Sequence, residues 1–216
     1  MATADDAMGP GHHEHGLSPA DLGADPVAAF QRWFDAAVHS GMVQPDAMVL
    51  ATVDPQGRPA ARAVLLKGAD SRGLRFFTNL DSAKAHHLAA NPMCAVALVW
   101  PSLYRQVRVT GWAQRVPEEE SAAYFATRPR GSRLGAWASR QSAVIAGREV
   151  LDRRWAELEA AYEGTDDIPL PPFWGGYVVV PDTFEFWQGR RDRLHDRLRY
   201  VRALPDGPWR VERLAP

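Results

Sequence analysis

The stretch MCAVALVW (Met93–Trp100), followed after PSL by YRQVRVTGWAQRV (Tyr104–Val116), decides the fold. The first segment is the longest unbroken apolar run in the chain, far short of the roughly 20 residues of a membrane helix. It reads as a strand. The second alternates: Arg105, Val107 and Val109 fall on one face, and Gln106, Arg108 and Thr110 on the other. That period of two marks a strand with one face turned to a core.

Working outward, Met48–Val53, the turn Asp54-Pro-Gln-Gly57 and Pro59–Lys67 read as a hairpin, and Leu74–Thr78 as a third short strand. Ser82–Ala90 reads as a short helix stopped at Asn91-Pro92. Further upstream, Asp25-Pro26 is an N-cap and first helical position, and Phe30, Trp33, Phe34, Ala37 and Val38 form an apolar stripe behind it. Residues 1–24 carry no such period and are expected to be a flexible arm. Its His12, His13 and His15 find no second ligand pair at metal spacing, so no metal site is expected.

Downstream, Pro117-Glu118-Glu119-Glu120 opens a helix, and Leu151, Trp155, Leu158 and Tyr162 give an amphipathic helix closed by Gly164. Strands follow at Tyr177–Val180, Thr183–Trp187, His195–Ala203 and Trp209–Leu214. Short strands with helices between them predict a mainly β, α+β chain. The expected architecture is a single domain over 25–216, a small antiparallel barrel decorated by helices.

Composition narrows the function. Across 216 residues, 25 basic side chains face 26 acidic ones, which argues against a nucleic-acid binder. The single cysteine, Cys94, fits a reducing cytoplasm, and no basic-then-apolar leader opens the sequence. Only two of the 25 basic residues are lysines, Lys67 and Lys84, in a chain that otherwise writes arginine.

Four constellations carry chemistry. Arg62 and Lys67 lie five apart, an odd offset that sends them to opposite faces of a regular strand. They are either solvated strand-end charges or partners of two different anionic groups. Thr78-Asn79, Ser82 and Lys84 surround a helix start, a ready phosphate site. Tyr124 and Arg128 share a helical face, while Pro129 places Arg128 at the helix end and Ser132 in the turn beyond. Arg193, His195 and Arg197 fall on one face if they enter a strand. Three adjacent donors there call for an anion, unless Asp196 and Glu185 pair with the arginines. With no nucleophile elbow, Walker loop or dinucleotide fingerprint, the chemistry belongs to a bound cofactor.

Eight segments, taken in order, resemble the pyridoxine/pyridoxamine 5′-phosphate oxidase family. They are RAVLLK (62–67), FFTN (76–79), RQVRVTG (105–111), YFATRPRGS (124–132), GAWASRQS (135–142), PPFWGGY (171–177), EFWQG (185–189) and RLHDR (193–197). The resemblance implies an FMN-binding split β-barrel, a homodimer, and FMN sites formed between subunits. It implies that Arg62, Ala63, Val64, Leu65, Leu66, Lys67, Phe77, Thr78 and Lys84 contact FMN, completed by Gln106, Gln141, Ser142, Trp187 and Arg197. Lys67, Tyr124, Arg128 and Ser132 are implied to bind the substrate phosphate. Arg193, Leu194 and His195 are implied to hold the pyridine ring, Arg193 and His195 as catalytic residues.

The implied reaction oxidises pyridoxine 5′-phosphate or pyridoxamine 5′-phosphate to pyridoxal 5′-phosphate. O2 is the acceptor, hydrogen peroxide the by-product, and ammonia is released from the amine. On this reading Arg62 and Lys67 serve two phosphates, one of FMN and one of substrate. The chain departs from the family pattern in three places. Ala83 stands where many relatives carry a second basic residue, the N-terminal arm lacks the family's Arg and Tyr, and Arg190-Arg191 add charge before Arg193. The alternatives are an FMN oxidase of another ring, of the phenazine-precursor type, and a non-catalytic binder of flavin or pyridoxal phosphate.

Overall fold

The computed structural model of the protein describes residues 16–204 and 206–216. A single helical turn, α1 (Pro19–Leu22), leads into α2 (Pro26–His39). The Asp25 carboxylate caps α2 by accepting from the Val27 N–H at 2.9 Å, and Pro26 takes the first helical position. The expected arm is corrected over residues 16–24. Leu17 and Leu22 are buried, Tyr200 donates to the Gly23 carbonyl, and Asp196 and Arg213 hold the Leu17 backbone. Two leucines five residues apart make too sparse a pattern to read as a helix face, yet both reach the core. Residues 1–15, with the three histidines, lie outside the described residues.

The strands are β1 (Ala47–Val53), β2 (Pro59–Leu65), β3 (Gly68–Asp70) and β4 (Gly73–Asn79), followed by α3 (Ala83–Ala90). Then come β5 (Met93–Trp100), β6 (Arg105–Arg115), and helices α4 (Glu118–Ala126), α5 (Arg130–Ala138) and α6 (Arg148–Ala161). The chain closes with β7 (Trp174–Gln188), β8 (Asp196–Val201) and β9 (Arg210–Arg213). The sheet runs β2-β1-β5-β6-β7-β4-β3, with β8 beside β7 and β9 beyond it. Every pairing is antiparallel, as the sequence predicts.

The fork lies in β7. Along one edge it pairs with β6 almost throughout; along the other, residues 174–179 pair with β4 and residues 183–188 with β8. The sequence reading split this strand at Pro181-Asp182. The strand in fact continues through a register shift opposite Thr110/Gly111, which absorbs the proline. Gly111 is required there, because a Cβ would run into the Val180 carbonyl. The strands expected at 59–67, 195–203 and 209–214 are each shorter than read, and β3 was not foreseen.

The alternation of β6 holds: Val107 and Val109 are fully buried, and Arg105 shares their face with its guanidinium 4.4 Å over the Trp33 ring. Phe30, Trp100, Phe184, Phe186 and Tyr200 fill the barrel. Each such side chain contributes about 1.5–3 kcal/mol or more through removal from water. A second, smaller core joins Phe125, Leu134, Leu158, Ile168 and Trp174, and seats α4–α6 against one end of β4 and β7. The seam between the barrel and this helical cap is where the site lies.

Candidate functional site

A cleft of about 650 Å³ opens along that seam. It is lined by Ala63, Val64, Leu65 and Lys67 from β2 and its exit, Phe77 and Thr78 from β4, and Lys84 from α3. Tyr124, Arg128, Ser132, Gln141 and Trp174 line the rest. Eleven of the site residues implied by the resemblance thus converge here, drawn from segments far apart in the chain.

One corner is built around Lys84. Its ammonium is buried and donates to the Gln141 Oε1 at 2.7 Å, the Thr78 hydroxyl at 3.0 Å and the Ser82 hydroxyl at 3.2 Å. All three partners are neutral. Burial first, and then the nearby Arg62 charge, push its pKa down to about 8. Beside it, Ser142 sits at φ +73° and its hydroxyl accepts from the first N–H of α3, on Ala83, at 3.2 Å. A buried cation without a counter-charge, next to a helix N-terminus, is suited to an anion.

Arg62 does not line the cleft. Its guanidinium donates to the Leu50 carbonyl and, at 2.7 Å, to the Thr52 hydroxyl, which is in turn 3.0 Å from His87 Nδ1. Leu66 also leaves the cleft and packs in the core. The opposite-face argument for Arg62 and Lys67 applies only in part, because β2 ends at Leu65 and Lys67 lies beyond the regular strand.

The other corner is aromatic and cationic. Tyr124 stacks on Phe77 at 4.1 Å, and Phe77 on Trp174 at 5.4 Å. Gly176 makes room for this, since a Cβ there would come within 2.6 Å of the Phe77 ring. The Arg128 guanidinium lies 4.9 Å over Trp174 and 5.5 Å from the Phe125 ring. One of its nitrogens, Nη1, is buried with no hydrogen-bond partner, and burial lowers the pKa of the group. An orphaned guanidinium N–H is costly unless a ligand completes it. Ser132 is corrected from turn to helix: Pro129 caps α5, and the Ser132 N–H donates back to its carbonyl at 2.8 Å. The proline breaks one helix and begins the next.

A second group of expected residues lies apart from the cleft. Gln106, Trp187 and Arg197 are aligned in register across β6, β7 and β8. Arg197 donates to the buried Glu185 at 2.9 Å, and Arg108 holds the other oxygen of that carboxylate at 3.1 Å. The expected single face of Arg193, His195 and Arg197 is not formed. The strand starts only at Asp196, and Asp192 and Arg193 turn with successive positive φ of 57° and 58°. Such left-handed backbone in non-glycine residues stores about 1–3 kcal/mol each and clusters at functional sites. His195 rests 4.6 Å from the Trp187 ring, and its Nδ1 accepts from the Arg190 N–H at 3.1 Å.

Comparison with known proteins decides the family. A model described as pyridoxamine 5′-phosphate oxidase matches residues 34–162, and one described as the pyridoxine 5′-phosphate oxidase C-terminal dimerisation region matches 174–216. The chain belongs to the pyridoxamine 5′-phosphate oxidase family. A Rubrobacter xylanophilus relative named pyridoxine/pyridoxamine 5′-phosphate oxidase is 56% identical over 93% of this chain and 91% of its own. A Streptomyces avermitilis relative of the same name is 50% identical over 97% of this chain and 95% of its own. Among solved structures, PhzG from Burkholderia lata, in complex with tetrahydrophenazine-1-carboxylic acid, superposes with a TM-score of 0.87 at 30% identity, covering 95% of this chain and all of that one.

The pyridoxamine 5′-phosphate oxidase fold is therefore the split barrel that the eight segments imply. The family's dimerisation region contains Trp187, Arg193, His195 and Arg197, and its cleft residues lie mainly in the first region. One cleft residue and one residue behind the cleft wall escaped the sequence reading. Trp174 sits in the quoted PPFWGGY segment, where an aromatic before two glycines was the available signal. Asp46, which holds Lys67, gave none, being 21 positions away in a loop. Among the described residues no group of three or more metal-ligating side chains occurs, and no helix is long and apolar enough to cross a membrane.

Proposed function

We propose that the protein is an FMN-dependent oxidase that converts pyridoxine 5′-phosphate and pyridoxamine 5′-phosphate to pyridoxal 5′-phosphate with O2, working as a homodimer in the cytoplasm. The observation that carries this reading is one cleft with two separate cationic corners. Lys84 is surrounded by neutral donors and acceptors, Arg128 has an unpartnered buried nitrogen, and an aromatic wall lies beside Arg128. Two phosphates, one of cofactor and one of substrate, fit two such corners.

Lys84, Thr78, Gln141 and Ser142 would hold the FMN phosphate end, with the Ala63–Leu65 backbone along the cleft floor. When bound, FMN supplies the acceptor for a hydride from the substrate C4′, and O2 takes the electrons on as hydrogen peroxide. Lys67, Tyr124, Arg128 and Ser132 anchor the substrate phosphate, remote binding energy that aligns the reacting carbon. The His195 contact fixes a tautomer: with Nδ1 accepting from Arg190, the neutral ring keeps its proton on Nε2. His195 therefore offers a donor to the substrate's C4′ oxygen or nitrogen, beside Arg193, and orients that group.

The spacing along β7 supports the dimer. Trp174 borders the cleft and Trp187 belongs to the second group, 13 residues on. That is about 40 Å of strand, longer than a mononucleotide. Gln106, Trp187, Arg193, His195 and Arg197 then serve the cleft of a second copy. The test is to load the protein with FMN and add either phosphate ester without oxygen. Bleaching of the flavin spectrum, with aldehyde and peroxide appearing on admission of air, is the expected result. No turnover with either ester would overturn the reading and leave a binding protein.

A further inference from the structure

Lys67 stands in the wall between two cavities. On one side is the cleft with Tyr124, Arg128 and Ser132; on the other, a groove of about 520 Å³ lined by Phe30, Phe34, Pro45 and Asp46. Asp46 borders only the groove, and its carboxylate takes the Lys67 ammonium at 2.7 Å. The backbone that carries both residues is held in place. The Asp46 carbonyl accepts from the Leu66 N–H at 2.8 Å, the Lys67 N–H donates to the Arg75 carbonyl at 2.8 Å, and the Trp100 indole holds the adjacent Pro45 carbonyl. Both side chains of the pair are about a quarter exposed, 26% for Lys67 and 25% for Asp46.

We propose that Asp46 is a positioning residue for substrate binding: the resting counter-ion of Lys67, which the substrate phosphate must displace or share. The inference rests on the reading of Lys67 as a substrate-phosphate ligand. The physical content is a competition. Arg128 reaches the cleft with a nitrogen unpartnered, whereas Lys67 comes with its charge already balanced by a carboxylate. A phosphate carrying about −1.5 to −2 charges therefore gains less from Lys67 than from a free ammonium, and is repelled by Asp46 behind it. Asp46 weakens the hold on the phosphate end, of substrate and product alike, and so favours release. An Asn at this position keeps the shape and one acceptor oxygen while removing the charge.

The experiment compares FMN-loaded wild type with Asp46→Asn and Asp46→Glu. In Asp46→Asn, pyridoxine 5′-phosphate should bind about two- to fivefold more tightly at equilibrium, the size of a partly exposed ion pair. KM should fall by the same factor, inhibition by inorganic phosphate should strengthen, and FMN affinity should not move. Asp46→Glu should restore wild-type values. Unphosphorylated pyridoxine separates charge competition from structural damage, since its binding should be equal in all three proteins. Unchanged or weaker ester and phosphate binding in Asp46→Asn overturns the inference, as does an equal gain for pyridoxine. A wild type that binds the ester without oxidising it would sink the proposed activity and leave the equilibrium comparison to decide on Asp46.

Discussion

Lys84 and Gln141 meet at 2.7 Å, ammonium to amide oxygen, and the same oxygen accepts the Thr78 hydroxyl at 3.1 Å. The loop after α5 is thereby tied to β4 and the start of α3. Lys84→Met should weaken FMN binding by about 10- to 100-fold, the range for losing a charge-assisted hydrogen bond. Lys84→Arg should not restore it, because the recess formed by Thr78, Ser82 and Gln141 fits a compact ammonium. Quenching of flavin fluorescence on titration reads both. Wild-type affinity in the arginine variant would dispose of the idea that lysine was needed here.

The same ammonium gives a pH dependence. Its pKa in the fold, about 8, lies below the ordinary 10.5. The buried charge therefore costs stability in the ligand-free protein below about pH 8. That cost is relieved as pH rises from about 8 towards 10.5. On the proposed reading FMN needs the charged form, so its affinity should fall about tenfold per pH unit above about 8. Lys84→Met should show no such slope. Titrations at several pH values check both.

Arg128→Ala should raise KM for either phosphate ester by about 10- to 100-fold, with a smaller change in kcat, because on the proposed reading Arg128 holds the non-reacting end of the substrate. A kcat loss with unchanged KM would move Arg128 away from the phosphate.

For Arg193 the opposite split is expected. Arg193→Ala should cut turnover about 100-fold while FMN affinity changes little, the signature of lost alignment at the reacting carbon. Equal losses in turnover and flavin affinity would reassign it to the cofactor.

The N-terminal correction is also measurable. Leu22→Ala should cost about 2–4 kcal/mol in denaturant unfolding, since the side chain is 1% exposed beside the core. A residue in a free arm would cost close to nothing.

Where the sequence was readable, the reason is local. The two-residue period of Arg105–Arg115 and the Asp25-Pro26 cap encode their own structure in neighbouring residues, and both are found as read. Ser132 was misplaced because Pro129 ends one helix by the same restriction that lets it cap the next. The run Arg193–Arg197 looked like a strand, but Asp192 and Arg193 are left-handed and lie between the Trp187–His195 and Arg190–Asp196 contacts, which no five-residue pattern encodes. The cleft itself was legible only through the eight-segment resemblance. Spacing alone could not bring Lys84 to Gln141 across 57 positions.

The long β7 strand has a thermodynamic consequence. On the proposed reading its two ends serve different clefts, so FMN and substrate each touch two chains and bind only what two chains build. Occupancy and association then share one free energy: flavin should hold the subunits together, and dilution should release flavin. By symmetry each pair carries two such sites. A protein stripped of cofactor should come apart at concentrations where the loaded form stays whole.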